Sequence, residues 1–174
     1  MAVAVKMRAR NSVACLIAVG ITLTVASGCD SSPTGPAAPQ AGKKLSNDAS
    51  RLLTKMPSLL QTKAHFNVSN NASKGVACGE NKEKYQFSAK AHMSPVPNIR
   101  QNLDTSASGA SGFLTEWGYD LHAKEGPLRK SDTKYVVPMF DKKAGAQITV
   151  MLTQTGAQSV DTLVTGTTDC LRLK

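Results

Sequence analysis

The stretch YQFSAKAHM at residues 85–93 decides the fold, because apolar and polar side chains alternate along it without a break. In a β-strand, successive side chains point to opposite faces of the sheet. The apolar face consists of Tyr85, Phe87, Ala89, Ala91 and Met93. Antiparallel sheets can pack one face against a core while the other face meets water. The stretch therefore predicts a half-buried antiparallel strand that carries Lys90 and His92 on its exposed face.

A helix is predicted before this strand, at residues 46–64, where apolar side chains recur at helical spacing. Ser46 or Asp48 is placed to cap its start, because either side chain can accept a free backbone N–H. Pro57 lacks an N–H and clashes with the preceding turn, so we expect a kink or a break there. The apolar face of this helix predicts core packing.

A second helix is predicted between residues 98 and 123. Helical spacing is clearest from Phe113 to Leu121, and it places Trp117, the only tryptophan, on the buried face. The small and flexible run at residues 106–112 predicts that this helix is broken or begins late.

The other segments have the alternation and the turn residues of strands. Phe66 and Val68 predict a short strand that ends in a turn at residues 70–75. The last third predicts a meander of strands, at residues 135–140, 147–154 and 160–165 and onwards towards residue 173. Pro138 cannot donate to a strand ladder, which predicts an edge strand or a bulge at that point.

This order of elements predicts the fold class. A helix, one or two strands, a second helix and then three or four strands form an α+β pattern. We expect a two-layer domain in which an antiparallel sheet of about 4–6 strands carries two helices on one face.

The first 28 residues have the three parts of an export signal: a basic start, an apolar stretch at residues 13–25, and small residues before Cys29. That apolar stretch makes a helix of roughly 20 Å, which is short against a hydrocarbon core of roughly 30 Å. The residues VASGC at 25–29 resemble the lipobox of bacterial lipoproteins, with Ala26 where the family prefers Leu or Val. The resemblance implies cleavage before Cys29 and a lipid anchor on its thiol. An ordinary secretory signal with a chance cysteine is the alternative.

Residues 29–45 are rich in Pro, Gly and Ser and low in apolar bulk, so they predict a solvated tether after the lipidated cysteine. The predicted organisation is a lipoprotein signal peptide at 1–28, the lipidated cysteine and tether at 29–45, and one α+β domain at 46–174. In layout and composition this domain looks like the small lipid-anchored domains common in actinobacteria.

The cysteines predict one disulfide. Cys15 is lost with the signal peptide and Cys29 carries the lipid, which leaves Cys78 and Cys170 in an oxidising compartment. A zinc site would need closely spaced ligand pairs, and a catalytic thiol would need a partner histidine. Neither pattern occurs near these cysteines, so we expect a structural disulfide, no metal and no cofactor.

The chain has a formal net charge of +9, but Lys6, Arg8 and Arg10 lie in the predicted signal peptide. From residue 29 onwards, 18 Lys and Arg residues face 12 Asp and Glu residues. The candidate binding surface consists of Lys90, His92, Lys124, Arg129, Lys130 and Lys134. Nucleic acid is a poor partner for an exported domain. Anionic lipid headgroups, cell-wall polymers or another envelope protein fit this charge, and a basic surface that only keeps the protein soluble is the alternative.

No motif in the sequence identifies a reaction, so we predict that the protein is not an enzyme. We expect a lipoprotein with a binding or scaffolding role, anchored on the extracytoplasmic face of the cell membrane. The alternative function is a carrier or sensor of a small apolar ligand held between the helices and the sheet.

Overall fold

The computed structural model describes residues 35–121 and 129–173 of the chain. These ranges contain two helices, α1 (Ala38–Leu59) and α2 (Ile99–Glu116). The strands in these ranges are β1 (Asn67–Gly79), β2 (Lys82–Met93), β3 (Asp120–Leu121), β4 (Arg129–Ser131), β5 (Lys134–Asp141), β6 (Ala146–Gly156), β7 (Ser159–Thr168) and β8 (Leu171–Arg172). The predicted signal peptide, Cys29 and Lys124 lie outside the described residues.

The eight strands of the described ranges form one antiparallel sheet, in the order β1-β2-β7-β6-β5-β3. The short strand β4 pairs with the start of β5, and β8 pairs with the start of β2. Both helices pack on one face, α1 against β1, β2, β7 and β6, and α2 against β5 and β6. The predicted two-layer α+β fold is confirmed, although the sheet has more strands than the predicted four to six.

The strand that decides the fold behaves as its alternation predicts. In β2, Tyr85, Phe87, Ala89, Ala91 and Met93 are buried against the helices. Lys90 and His92 lie on the opposite, exposed face of the same strand.

β1 is one long strand rather than a short strand followed by a turn. The predicted turn at residues 70–75 is a stretch in which the register of β1 against β2 shifts. The side chains of Asn70 and Asn71 accept hydrogen bonds from the backbone N–H groups of Ala72 and Ser73, at 3.0 and 3.1 Å. These asparagines therefore bend the strand locally without ending it.

Pro138 lies within β5, where it pairs with Thr149 of β6. On the other side of β5, β4 pairs with it at Lys134 and Tyr135, and β3 pairs with it at Met139 and Phe140. Pro138 thus falls between these two pairings, at a position where its missing N–H breaks neither of them.

α1 begins at Ala38, eight residues earlier than predicted. The prediction of a flexible tether is therefore wrong for residues 38–45, and neither Ser46 nor Asp48 caps the helix, since both lie inside it. Pro39 lies in the first turn, where its missing N–H costs no hydrogen bond. The side chains that this helix buries against the sheet recur at helical spacing: Ala38, Ala41, Leu45, Ala49, Leu52 and Met56.

Two glycines let α1 lie close to the sheet. A Cβ added at Gly42 would overlap the ring of Tyr85 in β2. A Cβ added at Gly166 of β7 would come within 2.6 Å of the Leu45 side chain. Gly42 lies in the segment predicted to be a tether, so its role in packing was not visible from composition.

The helix ends differ from the predictions in two ways. α1 passes through Pro57 and ends at Leu59, so the expected break comes two residues later. α2 is continuous across residues 106–112, because Gly109 fits against Leu59 of α1, where a Cβ would come within 2.7 Å of the leucine. Trp117, predicted on the buried face, caps the carboxyl end of α2 and is partly buried, packed against the core.

The space between the helices and the sheet is filled by side chains with no exposed surface. Leu45, Leu52 and Met56 of α1 meet Leu103 and Leu114 of α2 over the inner face of the sheet. The inner face contributes Val137, Met139, Ile148, Val150, Leu152 and Val164. All the buried apolar side chains of the described ranges lie between Ala37 and Val164.

Cys78 near the end of β1 and Cys170 just before β8 form a disulfide, with their Cα atoms 5.9 Å apart. The predicted pairing is confirmed. It joins the carboxyl-terminal strand to the β1–β2 hairpin. In the two described ranges, no helix is both long and apolar enough to cross a membrane.

Candidate binding surface

The outer face of the sheet, opposite the helices, carries rows of side chains from adjacent strands. One row is set by the pairs Lys90–Leu163, Leu163–Met151 and Met151–Val136. Leu163, Met151 and Val136 are each partly exposed, and we call these three the apolar row. The apolar row therefore begins beside Lys90 and crosses β7, β6 and β5.

Mostly polar rows border the apolar row on both sides. The row on one side consists of His92, Asp161, Thr153 and Lys134. The row on the other side consists of Ser88, Thr165, Thr149 and Pro138. The outer face thus combines a short apolar strip with hydrogen-bonding side chains along its edges.

A hollow of about 610 Å³, which we call the outer hollow, lies on this face. It is lined by His65, Asn67, Lys90, Ala91, His92, Met151, Thr153, Asp161, Thr162 and Leu163. Its volume falls within the range of roughly 300–1,000 Å³ that is usual for ligand sites. The outer hollow therefore has the size and the mixed apolar and polar lining of a binding site.

One lysine, Lys90, and one aspartate, Asp161, line the outer hollow together with two histidines. Asp161 is the one carboxylate among the residues that line it, and its Oδ1 lies 2.7 Å from Nδ1 of His92. Both side chains of this pair are more than half exposed, at 61% and 58%, so the pair contributes little to stability. Within the described ranges, neither Lys90 nor Lys134 has a carboxylate within ion-pair distance. These two cations are therefore available to a ligand.

The structure brings together three of the six residues predicted to form the binding surface. Lys90, His92 and Lys134 share the outer face of the sheet, in two adjacent rows. Arg129 and Lys130 lie on β4, which pairs with β5 at Lys134 and Tyr135, and the direction of their side chains is outside what the structure describes. Lys124 lies outside the described residues.

Sequence reasoning missed several other side chains of the outer hollow. Leu163 and Asp161 alternate with the buried residues of β7, so their outward direction could have been read from the sequence. Their position beside Lys90 and His92 could not have been read from the sequence, because β2 and β7 are far apart in the chain. No sequence pattern indicated that His65 lies at this surface, since it belongs to the connection between α1 and β1.

A second group of charged residues, which we call the Lys44 cluster, lies where α1 meets the carboxyl ends of α2 and β5. Nζ of Lys44 donates to Oδ2 of Asp48 at 2.6 Å and to the carbonyl oxygen of Trp117 at 3.1 Å. It also lies 3.3 Å from Oδ2 of Asp141 and 4.5 Å from the ring centre of Tyr119. Asp48 and Asp141 are only 6% and 4% exposed.

The Lys44 cluster is held together by internal interactions. The ammonium of Lys44 donates two hydrogen bonds, to Asp48 and to the carbonyl of Trp117, and forms an ion pair with Asp141. Burial raises the pKa of Tyr119 above its usual value, and the charges of Asp48 and Asp141 raise it further. The hydroxyl of Tyr119 therefore stays protonated and donates to Asp48 at 3.2 Å. This arrangement joins three elements and pairs the lysine with both buried carboxylates, so we assign it a structural role.

Among the described residues, no group of His, Cys, Asp and Glu side chains is arranged to hold a metal ion. Comparison with known protein families, curated proteins and solved structures finds no match to this chain. The outer hollow and its charges are therefore the features from which a function can be inferred.

Proposed function

We propose that this protein is an exported lipoprotein, anchored through Cys29, that binds a component of the cell envelope through the outer face of its sheet. The observation that carries the proposal is the outer hollow, in which partly exposed apolar side chains lie beside Lys90, which has no ion-pair partner among the described residues. Both helices cover the opposite face of the sheet. Neither of the two helices in the described ranges covers the outer face, so we propose this face as the surface that meets a partner.

Binding without catalysis fits this surface better than an enzyme does. A catalytic acid or base usually depends on burial and on a charged neighbour to tune its pKa. His92 and Asp161 are paired, but more than half of each side chain is exposed. Within the described ranges, the buried carboxylates are Asp48 and Asp141, and both belong to the Lys44 cluster, where Lys44 pairs with them.

The early start of α1 brings the domain close to the proposed anchor. Only residues 30–37 separate Cys29 from the first residue of α1. A fully extended chain of that length spans at most roughly 30 Å. The domain is thus held near the membrane surface, where anionic lipids, wall polymers and other envelope proteins are its neighbours.

The alternative of a carrier that holds its ligand between the layers finds no support among the described residues. The side chains between the helices and the sheet have no exposed surface and fill that space. A ligand there would have to displace packed leucine and valine side chains.

The first test addresses the anchor. When the full chain is expressed in a bacterium, we expect a mature protein that begins at Cys29 and has the added mass of a diacylglyceryl group. Cys29→Ala removes the acceptor thiol, so the precursor should stay uncleaved, and Cys15→Ala serves as the matched control that should be processed normally. Mass spectrometry of the purified protein measures both outcomes. Cleavage elsewhere, or a mature chain without lipid, would contradict the anchor.

The second test addresses the binding surface. The mature chain from residue 29, with Cys29→Ser, contains every described core residue and is mixed with isolated envelopes and sedimented. Basic residues gain roughly 1 kcal/mol each near an anionic surface, so the double variant Lys90→Glu/Lys134→Glu should bind at least about tenfold more weakly. Binding should also fall as salt rises, because ions screen these charges.

The control for this test is Lys142→Glu/Lys143→Glu, which reverses two exposed charges just beyond Asp141, at the opposite end of β5 from Lys134. Equal losses in both double variants would point to net charge alone and would contradict a localised surface. Binding that does not respond to salt would contradict recognition through charge.

A further inference from the structure

We infer that the outer hollow binds a linear amphiphile with one phosphate head group, with the phosphate beside Lys90 and the apolar chain along the apolar row. The inference deepens the proposed function, since it rests on binding through the outer face. It names the chemical class of the ligand that this face takes.

The direction of the apolar row is the first observation. Lys90, Leu163, Met151 and Val136 lie on four adjacent strands. Neighbouring strands are roughly 4.8 Å apart, so the row from Lys90 to Val136 is roughly 14 Å long. A cation at one end and three apolar side chains after it match the shape of an amphiphile with an anionic head.

The second observation is that the fold does not require the apolar row. The core is formed by the inner face of the sheet, where Val137, Val150 and Val164 are fully buried. Leu163, Met151 and Val136 alternate with these side chains and are partly exposed on the other face. The rows on either side are mostly polar, as expected for a face that meets water. An apolar chain would cover surface that is otherwise exposed to solvent.

The third observation is the set of hydrogen-bond donors around Lys90. Asn67 is the partner of Lys90 in β1, and His65 and His92 line the same end of the outer hollow. Asp161 also lines it, and its Oδ1 is engaged by His92 at 2.7 Å. The ammonium of Lys90, the side-chain N–H groups of Asn67 and one ring N–H of His65 can together donate to several phosphate oxygens.

Lys134 lies beyond the other end of the apolar row, two residues before Val136, but it does not line the outer hollow. The head group is therefore placed at Lys90, where the donors converge.

The test is a titration of the mature chain, with Cys29→Ser and without detergent, using dodecyl phosphate below its micelle concentration. Backbone amide shifts and calorimetry should show one saturable site, with the largest shifts in β2, β7 and β6. Inorganic phosphate and dodecyltrimethylammonium should each bind at least about tenfold more weakly. The first lacks the chain, and the second carries the wrong charge.

Two variants separate the head group from the chain. Lys90→Glu places a like charge at the head group, and Leu163→Thr removes apolar surface from the row while keeping a strand-forming residue. Each substitution should lower the affinity for dodecyl phosphate by about tenfold, whereas Lys142→Glu should leave that affinity unchanged. Thermal unfolding confirms that each variant is folded before its affinity is compared.

Equal affinity for the cationic probe, or shifts located away from β2, β7 and β6, would overturn the inference. A failure of lipid attachment at Cys29 would refute the anchor alone, because the titration uses the Cys29→Ser chain. Envelope binding that persists while dodecyl phosphate does not bind would refute this inference and leave the proposed function standing.

Discussion

Replacing Lys44 with methionine is expected to lower the free energy of unfolding by about 3 kcal/mol. Methionine keeps most of the length of the lysine side chain but removes its charge. Asp48 and Asp141, at 6% and 4% exposure, then share a buried site without the cation that bridges them. The expected loss lies at the lower end of the range for broken buried ion pairs, because 35% of the Lys44 side chain is exposed.

Urea unfolding of the mature chain measures this loss, with Lys43→Met as the matched control. Lys43 is the exposed neighbour of Lys44 on α1, and its replacement should change stability by less than about 0.5 kcal/mol. The double variant Lys44→Met/Asp48→Asn should be more stable than Lys44→Met alone, because one of the two buried carboxylates that lose Lys44 is gone and the other, Asp141, no longer has a charged neighbour of the same sign. Equal effects of Lys43→Met and Lys44→Met would show that the Lys44 cluster contributes nothing specific.

Replacing both Cys78 and Cys170 with serine is expected to lower the free energy of unfolding by about 4–5 kcal/mol. The disulfide joins residues 92 positions apart, so it restricts most of the unfolded domain. The variant should still fold, because the buried core of the described ranges lies between Ala37 and Val164. Locally, β8 should loosen, since it is a two-residue strand that pairs with β2 at Lys82 and Glu83, and the disulfide ties Cys170, just before it, to β1.

Unfolding in urea with and without a reducing agent checks this prediction. Reduction should bring the parent chain down to the stability of the double serine variant and leave the variant unchanged. If the two proteins differed by less than about 1 kcal/mol without the reducing agent, the disulfide would not restrict the unfolded chain as loop entropy predicts.

The sequence predicted α1 only in part, and the reason is physical. Leucine and methionine at residues 52 and 56 were read as a helical face, whereas Ala38 and Ala41, on the same face, lie among Pro and Gly and were read as a tether. Alanine has a high helix propensity and little apolar bulk, so its burial depends on how closely the sheet approaches. That approach requires Gly42 and Gly166, which belong to different elements.

The binding surface, like α1, was predicted only in part. Lys90 and His92 were placed on the exposed face of β2 because alternation is a local property of a strand. Helical spacing continued from Phe113 to Leu121, past the end of α2, although Gly118 directly after Trp117 is the usual signal of a helix end.

The sequence by itself determined the fold class, the two faces of β2 and the pairing of Cys78 with Cys170, since each depends on local periodicity or on counting cysteines. Only the tertiary structure decided that Lys90 begins the apolar row and that Lys44 lies between Asp48 and Asp141. Both depend on which distant segments become neighbours. β2 pairs with β7 instead of with the strand that follows it in the chain. Such pairings are set by packing over the whole domain, so they cannot be predicted from a local pattern of residues.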